Sequence, residues 1–194
     1  MRLSFDQFAS RWLGLRAFVL LMLGRQQAAH DVFSRMLVLS PRDAHALASR
    51  AHLRARLARR DDAIADLRVL TQFHPRRSAA DWFNLGFLLD EAGRPGEAEP
   101  AFARAVELDA RLDRAWYGLA LVLIRLGRTD DAIAALRRNT ELQPMSPYGW
   151  VQLARVHAGR DEADEARRII GHLKQFEPQV AAQLERETGL AARM

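Results

Sequence analysis

Apolar residues recur at every third or fourth position along most of this chain, in short segments separated by polar turns. Gly93-Arg94-Pro95 and Gly127-Arg128-Thr129 interrupt two of these runs. A spacing of three and four residues places apolar side chains on one face of an α-helix, while glycine and proline mark turns. The pattern therefore predicts an all-α fold in which short amphipathic helices are joined in pairs by tight turns.

The paired segments repeat with a constant period, since three tryptophans stand 34 residues apart. Each is followed by an apolar residue three positions on, a small residue four on, an alanine sixteen on and a bulky apolar residue twenty on. The small residues are expected where two helices approach closely, because a larger side chain would separate their axes. The residues in this order are Trp82, Leu85, Gly86, Ala98 and Phe102; then Trp116, Leu119, Ala120, Ala132 and Leu136; then Trp150, Leu153, Ala154, Ala166 and Ile170.

These spacings resemble the tetratricopeptide repeat, whose pattern closes with a proline. Pro144 and Pro178 fill that position, Ala110 replaces it once, and Pro41 and Pro75 mark two earlier repeats. The resemblance implies a single domain, a right-handed α-solenoid of five helical hairpins plus a C-terminal capping helix. The expected repeats are approximately 10–43, 44–78, 79–112, 113–146 and 147–180, and the expected capping helix is 179–188.

The two ends of the chain depart from the regular pattern. In the capping helix, Val180 and Leu184 are expected to face inward, and Gly189 is expected to end the helix in a left-handed turn. In the first two repeats, leucine replaces tryptophan and an arginine, Arg16 or Arg50, stands at an otherwise apolar site. Their helical character is expected, but the orientation of their first helices stays open. Residues 1–9 are expected to fold back over the exposed end.

Charge is distributed unevenly along the chain. Residues 1–80 hold 14 arginines against 6 acids, a balance of +8, whereas residues 81–194 have a balance of −3. A solvated helix surface is the favoured interpretation of the arginines in the second repeat, and an acidic partner or anionic lipid is the alternative. Nucleic acid is the least favoured, because stacking aromatics and a recognition-helix motif are missing. The arginines are Arg50, Arg54, Arg56, Arg59, Arg60, Arg68, Arg76 and Arg77.

The resemblance also implies a binding surface, because the first helix of each tetratricopeptide hairpin lines the concave side of the stack. The aromatics there are expected to anchor apolar side chains of a partner. Asn84 is expected to bond an extended peptide backbone, and the arginines to pair with acidic groups, so the partner is expected to be acidic. The expected groove residues are His45, Ser49, His52 and Arg56; Phe83, Asn84, Phe87 and Asp90; Arg114, Tyr117, Leu121 and Arg125; Tyr148, Gln152 and Arg155.

One subclass of the family clamps the C-terminal carboxylate of heat-shock chaperones with lysine, asparagine and arginine side chains. Asn84 matches one position of that clamp, and Arg114 could replace a lysine. Ala48, His52 and Gly118 stand where other clamp residues would be. Because most of the clamp is missing, a chaperone carboxylate is not the expected ligand.

Catalytic and metal-binding patterns are not found in the sequence. His45 and His52 lie two helical turns apart, about 10 Å along the axis, which is too far for both to bind one ion. The acid pairs 61–62 and 130–131 begin second helices, where the helix dipole favours negative charge. No nucleophile and base pair and no phosphate-binding glycine loop is present. We therefore expect no enzyme activity, no metal and no cofactor.

The leading hypothesis from sequence is a cytoplasmic, non-enzymatic adaptor that binds a protein or peptide segment in its groove. Cysteine is absent, which fits a reducing compartment, and the apolar run 17–23 is too short for a membrane span. One alternative is self-association through the first repeat, whose first helix is expected to be apolar on nearly every side and to form an exposed patch. Another is peripheral membrane attachment through the same helix and the arginine-rich second repeat. The apolar residues concerned are Leu15, Phe18, Leu21 and Met22.

Overall fold

The computed structural model describes the backbone of residues 2–191 and the side chains of residues 12–191. Regular secondary structure within this range is α-helical, as the sequence pattern predicts. The helices are α1 (Arg2–Met22), α2 (Gln26–Leu39), α3 (Ala44–Arg56), α4 (Arg60–Phe73), α5 (Ala79–Glu91), α6 (Pro95–Leu108), α7 (Asp113–Arg125), α8 (Thr129–Leu142), α9 (Pro147–Gly159), α10 (Ala163–Leu173) and α11 (Pro178–Thr188).

These helices belong to two compact units, an N-terminal unit of residues 1–108 and a C-terminal unit of residues 109–194. In the N-terminal unit α1 packs on α2, α3 on α4 and α5 on α6; in the C-terminal unit α7 packs on α8 and α9 on α10. The capping helix α11 packs against both α9 and α10. Five hairpins and a cap agree with the expected repeats, while the expectation of one continuous domain stays a prediction.

The turn inside each hairpin uses one residue in the left-handed conformation. Glycine occupies this position in three hairpins, with φ of 69° at Gly24, 71° at Gly93 and 73° at Gly127. The second and fifth hairpins place Ala58 (φ 57°) and Asp161 (φ 61°) there instead. A residue with a Cβ is strained in this conformation, although aspartate tolerates it better than alanine. The turn is therefore structurally constant even where its glycine is replaced.

The repeating tryptophans connect successive hairpins. Each donates its indole N–H to the backbone carbonyl of the residue that closes the preceding repeat. Because the acceptor is a backbone oxygen, alanine serves as well as proline at the closing position. The bonds join Trp82 to Pro75 at 2.9 Å, Trp116 to Ala110 at 3.0 Å and Trp150 to Pro144 at 2.9 Å.

Small residues lie where helices meet most closely, as expected. A Cβ added to Gly86 would stand 3.0 Å from the ring of Phe102, in the contact between α5 and α6. A Cβ added to Gly149 would overlap the side-chain oxygen of Asn139, whose amide in turn donates to the carbonyl of Asp113 at 3.0 Å. These contacts set the distances between neighbouring helices in each unit.

Arg50, at an otherwise apolar site of the second repeat, is matched by a buried carboxylate. Asp66 on α4 is only 3% exposed and accepts two hydrogen bonds from Arg50, at 2.9 and 2.6 Å. Arg54 contacts the same carboxylate at 2.7 Å. Burying a charge is costly unless it is paired, and Asp66 is paired twice. The first helix of this repeat is thereby oriented with Arg50 toward α4.

Two expectations about the chain ends require correction. Helix α1 begins at Arg2, so residues 2–9 continue the first helix and do not fold back over it; their side chains lie outside the described residues. In α11, Ala181 and Leu184 are buried, whereas Val180 is only half-buried. The helix ends at Gly189 in the left-handed conformation, as predicted.

Candidate functional site

The N-terminal unit contains a cleft between α3 and α5, which we call the N-terminal cleft. Its volume is about 300 Å³. It brings together His52, Arg56, Asn84 and Phe87, four of the residues that the sequence assigned to the groove. Its lining residues are Ala48, Ala51, His52, Ala55, Arg56, Leu67, Asp81, Asn84, Phe87, Leu88 and Glu91.

An aromatic side chain stands at the edge of the N-terminal cleft. Phe87 is 46% exposed, and its ring stacks on that of Phe83 with centroids 6.2 Å apart and planes 25° from parallel. Phe83 also packs against the buried Phe102, at a centroid distance of 5.9 Å. Phe83 therefore supports the exposed ring from within the unit, while Phe87 presents the contact surface.

The charges of the N-terminal cleft leave one cation available. Glu91 contacts Arg60 at 3.4 Å, and Asp81 accepts two hydrogen bonds from Arg77, at 2.7 and 2.6 Å. Arg56 is exposed and has no ion pair or hydrogen bond of its side chain with the described part of the chain. Because both lining acids already have arginine partners, Arg56 is the cation that an incoming acidic group would meet.

The C-terminal unit contains a second cleft, between α9 and α11, which we call the C-terminal cleft. Its volume is about 290 Å³, and its walls are mainly apolar. It brings together Tyr117, Tyr148, Gln152 and Arg155 from the predicted groove and adds four residues of the capping helix. The lining residues are Tyr117, Pro147, Tyr148, Val151, Gln152, Arg155, Val180, Gln183, Leu184 and Glu187.

Two tyrosines from neighbouring hairpins meet at the C-terminal cleft. The rings of Tyr117 and Tyr148 contact edge to face, with centroids 6.5 Å apart and planes at 63°. Tyr148 is 70% exposed, whereas Tyr117 is half-buried. Edge-to-face pairs of this kind fix the orientation of both rings. Tyr148 is thus held in place while most of its surface stays open.

Arg155 does not offer a free charge in this cleft. Its guanidinium donates two hydrogen bonds to Glu187 of the capping helix, at 3.0 and 2.9 Å. The sequence assigned Arg155 to an acidic partner, and that role is already taken within the chain. Glu187 lies 32 residues after Arg155 in the sequence, so the pairing depends on how α11 packs against α9. The residues next to Arg155 therefore do not predict it.

The other predicted groove residues lie outside the two clefts. His45 contacts Phe33 edge to face with centroids 5.9 Å apart, and Ser49 is half-buried on α3. On α7, Leu121 is half-buried, and Arg114 and Arg125 are exposed with interactions of their own. Asp90, half-buried on α5, likewise has an interaction partner.

Most arginines of the second repeat are paired within the chain. Two of these arginines contact Asp66, and each of four further arginines contacts one carboxylate. A hydrogen bond from Arg59 lowers the pKa of Asp62 below its usual range. Exposed pairs of this kind add little stability, but they reduce the charge seen by a partner. The further pairs are Arg59 with Asp62, Arg60 with Glu91, Arg68 with Glu97 and Arg77 with Asp81.

A third depression, which the sequence pattern does not predict, lies on the side of the C-terminal unit formed by α8, α9 and α10. Its volume is about 570 Å³, and it is lined by Trp150, His172 and charged residues including Arg137, Glu165 and Arg168. The ring of His172 lies 4.5 Å from that of Trp150. Trp150 thus lines this depression with its ring while its N–H is used within the backbone contact to Pro144.

Among the described residues, no group of three or more histidine, cysteine or acidic side chains is placed to hold a metal ion. Over the same residues, none of the helices combines the length and apolar character that crossing a bilayer requires.

Comparison with known families identifies the repeats. A model of the tetratricopeptide repeat matches residues 83–147 and 117–171. The chain carries tetratricopeptide repeats. Among curated protein sequences, none matches it. Tetratricopeptide repeats mediate interactions between proteins. First helices of the hairpins contribute to both clefts, while the groove assignment stays a prediction.

Solved structures show the same fold over nearly the whole chain. The structure of MamA has a TM-score of 0.78 at 19% identity, covering 93% of this chain and 94% of that chain. YrrB, described as a tetratricopeptide protein with an unusual peptide-binding site, has a TM-score of 0.79 at 18% identity, covering 88% of each chain. PilF of Pseudomonas aeruginosa has a TM-score of 0.68 at 20% identity, covering 94% and 88%. At these identities the likeness establishes the tetratricopeptide fold.

Proposed function

We propose that this protein is a non-enzymatic adaptor that binds segments of a partner protein in its N-terminal and C-terminal clefts. The observation that carries the proposal is an exposed, internally supported aromatic ring in each cleft, Phe87 in one and Tyr148 in the other. Rigid aromatic anchors of this kind contribute much of the energy in protein interfaces. The likeness to YrrB, a protein with a peptide-binding site, supports the same function.

The C-terminal cleft is suited to an apolar side chain. Tyr148, Val151 and Leu184 provide apolar walls, and the only arginine in the lining is neutralised by Glu187. Removing an apolar side chain from water contributes about 1.5–3 kcal/mol, whereas a charged one would lose its hydration there. We therefore infer that this cleft selects a leucine, methionine or aromatic residue of the partner.

The N-terminal cleft is suited to a backbone segment with an acidic residue. The exposed amide of Asn84 both donates and accepts hydrogen bonds, so it can pair with an extended peptide backbone. Arg56 lies in the same lining and can bind a carboxylate through two parallel hydrogen bonds. The acidic character expected of the partner is thus proposed for this cleft alone.

Panning a random peptide library against the purified protein tests the proposal. Selected peptides should be enriched in a large apolar residue, an acidic residue, or both. Tyr148→Ala should weaken binding of the apolar class, and Asn84→Ala should weaken the other class, each by about tenfold. Met145→Ala, which truncates a side chain that is 66% exposed and outside both clefts, is the matched control.

Two results would reject this function. One is the recovery of no peptide above background from a library that yields binders for a control protein. The other is a set of peptides that bind both cleft variants as tightly as the parent. Circular dichroism spectra of all variants should match the parent, so that a loss of binding cannot be ascribed to unfolding.

We also propose a cytoplasmic location. The support is the absence of cysteine. Disulfides stabilise proteins of oxidising compartments, and a chain without cysteine cannot form them. Fractionation of host cells followed by immunoblotting should recover the protein with cytoplasmic markers. Recovery with periplasmic or membrane markers would contradict it.

A further inference from the structure

The outward side of α1 is apolar along three helical turns. Ala17 is fully buried against α2, whereas six large apolar residues of the same helix are exposed, and five of them, all except Leu21, lie on the side away from Ala17. Their spacing of three and four residues places them in one continuous stripe. We call this surface the α1 face: Trp12 (57% exposed), Leu15 (63%), Phe18 (59%), Val19 (47%) and Met22 (74%).

The α1 face is as large as the largest apolar patches that monomeric proteins usually leave open. From these exposed fractions and the size of the side chains it presents on the order of 600 Å² of apolar surface, at the upper end of the roughly 300–600 Å² of a typical largest patch. Two such faces pressed together would bury about 1,200 Å², at the lower end of the range of about 1,200–2,000 Å² for stable interfaces. A second copy of the same face is therefore large enough to cover it.

The opposite terminal helix does not offer a complementary surface. In repeat stacks the terminal units need a polar outer side, and α11 meets this requirement with the exposed Gln179 and Arg186, which lie opposite its buried Ala181 and Leu184. Head-to-tail association would place the α1 face against these polar groups and remove them from water without partners, which is unfavourable. The α1 face is best matched by another α1 face.

A lipid surface is also a poorer match than a second copy. Helices that lie on membranes combine an apolar side with several lysines or arginines that meet anionic headgroups. Between Trp12 and Met22 the helix has one charge, Arg16. Six of the eight arginines in the second repeat are already paired with acids of the chain. Electrostatic attraction to lipid is thereby weakened.

We propose that two copies of this chain associate through their α1 faces as an isologous, two-fold symmetric dimer. Each copy contributes the same five residues, and the symmetry axis passes near the middle of the stripe, close to Phe18 and Val19. Neither cleft contributes residues to this contact. The dimer is a property separate from peptide binding, and either can fail without the other.

Sedimentation equilibrium of the full chain tests the association. The parent should be dimeric at about 100 µM, and Leu15→Glu combined with Phe18→Glu should raise the dissociation constant at least about 100-fold, because two apolar anchors per copy are lost. Met145→Glu places the same charge on an equally exposed apolar site outside the α1 face and should leave the dimer intact. Unchanged circular dichroism confirms that the double variant is folded.

Single cysteines test the symmetry, because the chain has none of its own. Val19→Cys should form a covalent dimer in high yield under mild oxidation, since the two thiols lie near the symmetry axis. Met145→Cys should stay monomeric on a denaturing gel under the same conditions. The yield with Val19→Cys should fall to that of the control when Leu15→Glu and Phe18→Glu are added.

Four results would overturn the proposal. A parent that stays monomeric at about 100 µM excludes the dimer, and its sedimentation with vesicles of phosphatidylserine would assign the face to lipid instead. A double variant that remains dimeric would locate the contact elsewhere. Open-ended oligomers in the parent would indicate head-to-tail association. A parent dimer in which Val19→Cys does not cross-link would contradict the two-fold arrangement.

Discussion

Arg155 on α9 and Glu187 on α11 form two hydrogen bonds, at 3.0 and 2.9 Å, across the C-terminal cleft. The pair lies about half-exposed, with 40% and 44% of the two side chains open to solvent. It links the capping helix to the last hairpin and neutralises the arginine that the sequence assigned to a partner. The capping helix therefore determines the charge of the cleft as well as its wall.

Glu187→Gln should change what this cleft selects more than it changes stability. Without the carboxylate, the positive charge of Arg155 becomes available, so panning should recover peptides with more aspartate and glutamate than the parent does. The free energy of unfolding should fall by less than about 1 kcal/mol, because exposed ion pairs are weak. Asp131→Asn, which removes the acid of the exposed pair with Arg128, is the control and should leave the peptide selection unchanged.

Trp150→Phe should destabilise the protein by about 1 kcal/mol in urea unfolding. The substitution keeps an aromatic ring but removes the N–H that donates to the carbonyl of Pro144 at 2.9 Å, and a single hydrogen bond contributes about this much. Tyr148→Phe is the control, because it removes the hydroxyl of a ring that is 70% exposed and does not take part in the repeated contact. Equal effects from both substitutions would show that the indole bond does not stabilise the repeat.

Ala58→Gly should stabilise the protein by about 0.5–1 kcal/mol. The left-handed φ of 57° destabilises alanine by roughly 1–2 kcal/mol, whereas glycine adopts it without strain. Part of this stabilisation is offset because glycine makes the unfolded chain more flexible. The reverse substitution at the equivalent turn, Gly93→Ala, should destabilise by a similar amount. Thermal unfolding of both variants measures this, and a lower melting temperature for Ala58→Gly would show that the strain is absent.

Asp66→Asn should lower the free energy of unfolding by about 3–5 kcal/mol. The substitution leaves the largely buried guanidinium groups of Arg50 and Arg54 without their carboxylate. Asp62→Asn removes an acid of the same helix whose side chain is 48% exposed, and it should change the unfolding free energy by less than about 1 kcal/mol. Urea denaturation of the two variants gives the comparison. Similar decreases in the free energy of unfolding for the two variants would mean that burial of Asp66 with its two arginines contributes little to stability.

Much of the fold follows from local sequence because each repeat uses the same short-range contacts. The tryptophan period is visible because each of the three periodic indoles bonds a carbonyl six or seven residues earlier, as with Trp82 and Pro75. Helix α11 was predicted with its left-handed end at Gly189 for a similar reason. The constant position of the hairpin turn would also have marked Ala58 and Asp161 as left-handed residues.

The candidate site was predicted less completely, because its details depend on contacts distant in sequence. Register alone predicts Asn84, Phe87 and Tyr148 in one groove, whereas in the structure Asn84 and Phe87 line the N-terminal cleft and Tyr148 lines the C-terminal cleft. It could not show that Phe83 turns toward Phe102 or that Glu187 captures Arg155, since both depend on how two helices dock. The same limit applies to the buried Asp66, whose partners lie on the preceding helix.

Chemical-shift mapping tests the central claim most directly. A peptide selected by panning is titrated into the ¹⁵N-labelled protein, and the backbone amide shifts are followed. The largest changes should fall on lining residues of the clefts, such as Asn84 and Phe87 or Tyr148 and Val151. Changes confined to the depression of Arg137, Glu165 and His172, with the cleft amides unmoved, would contradict the account.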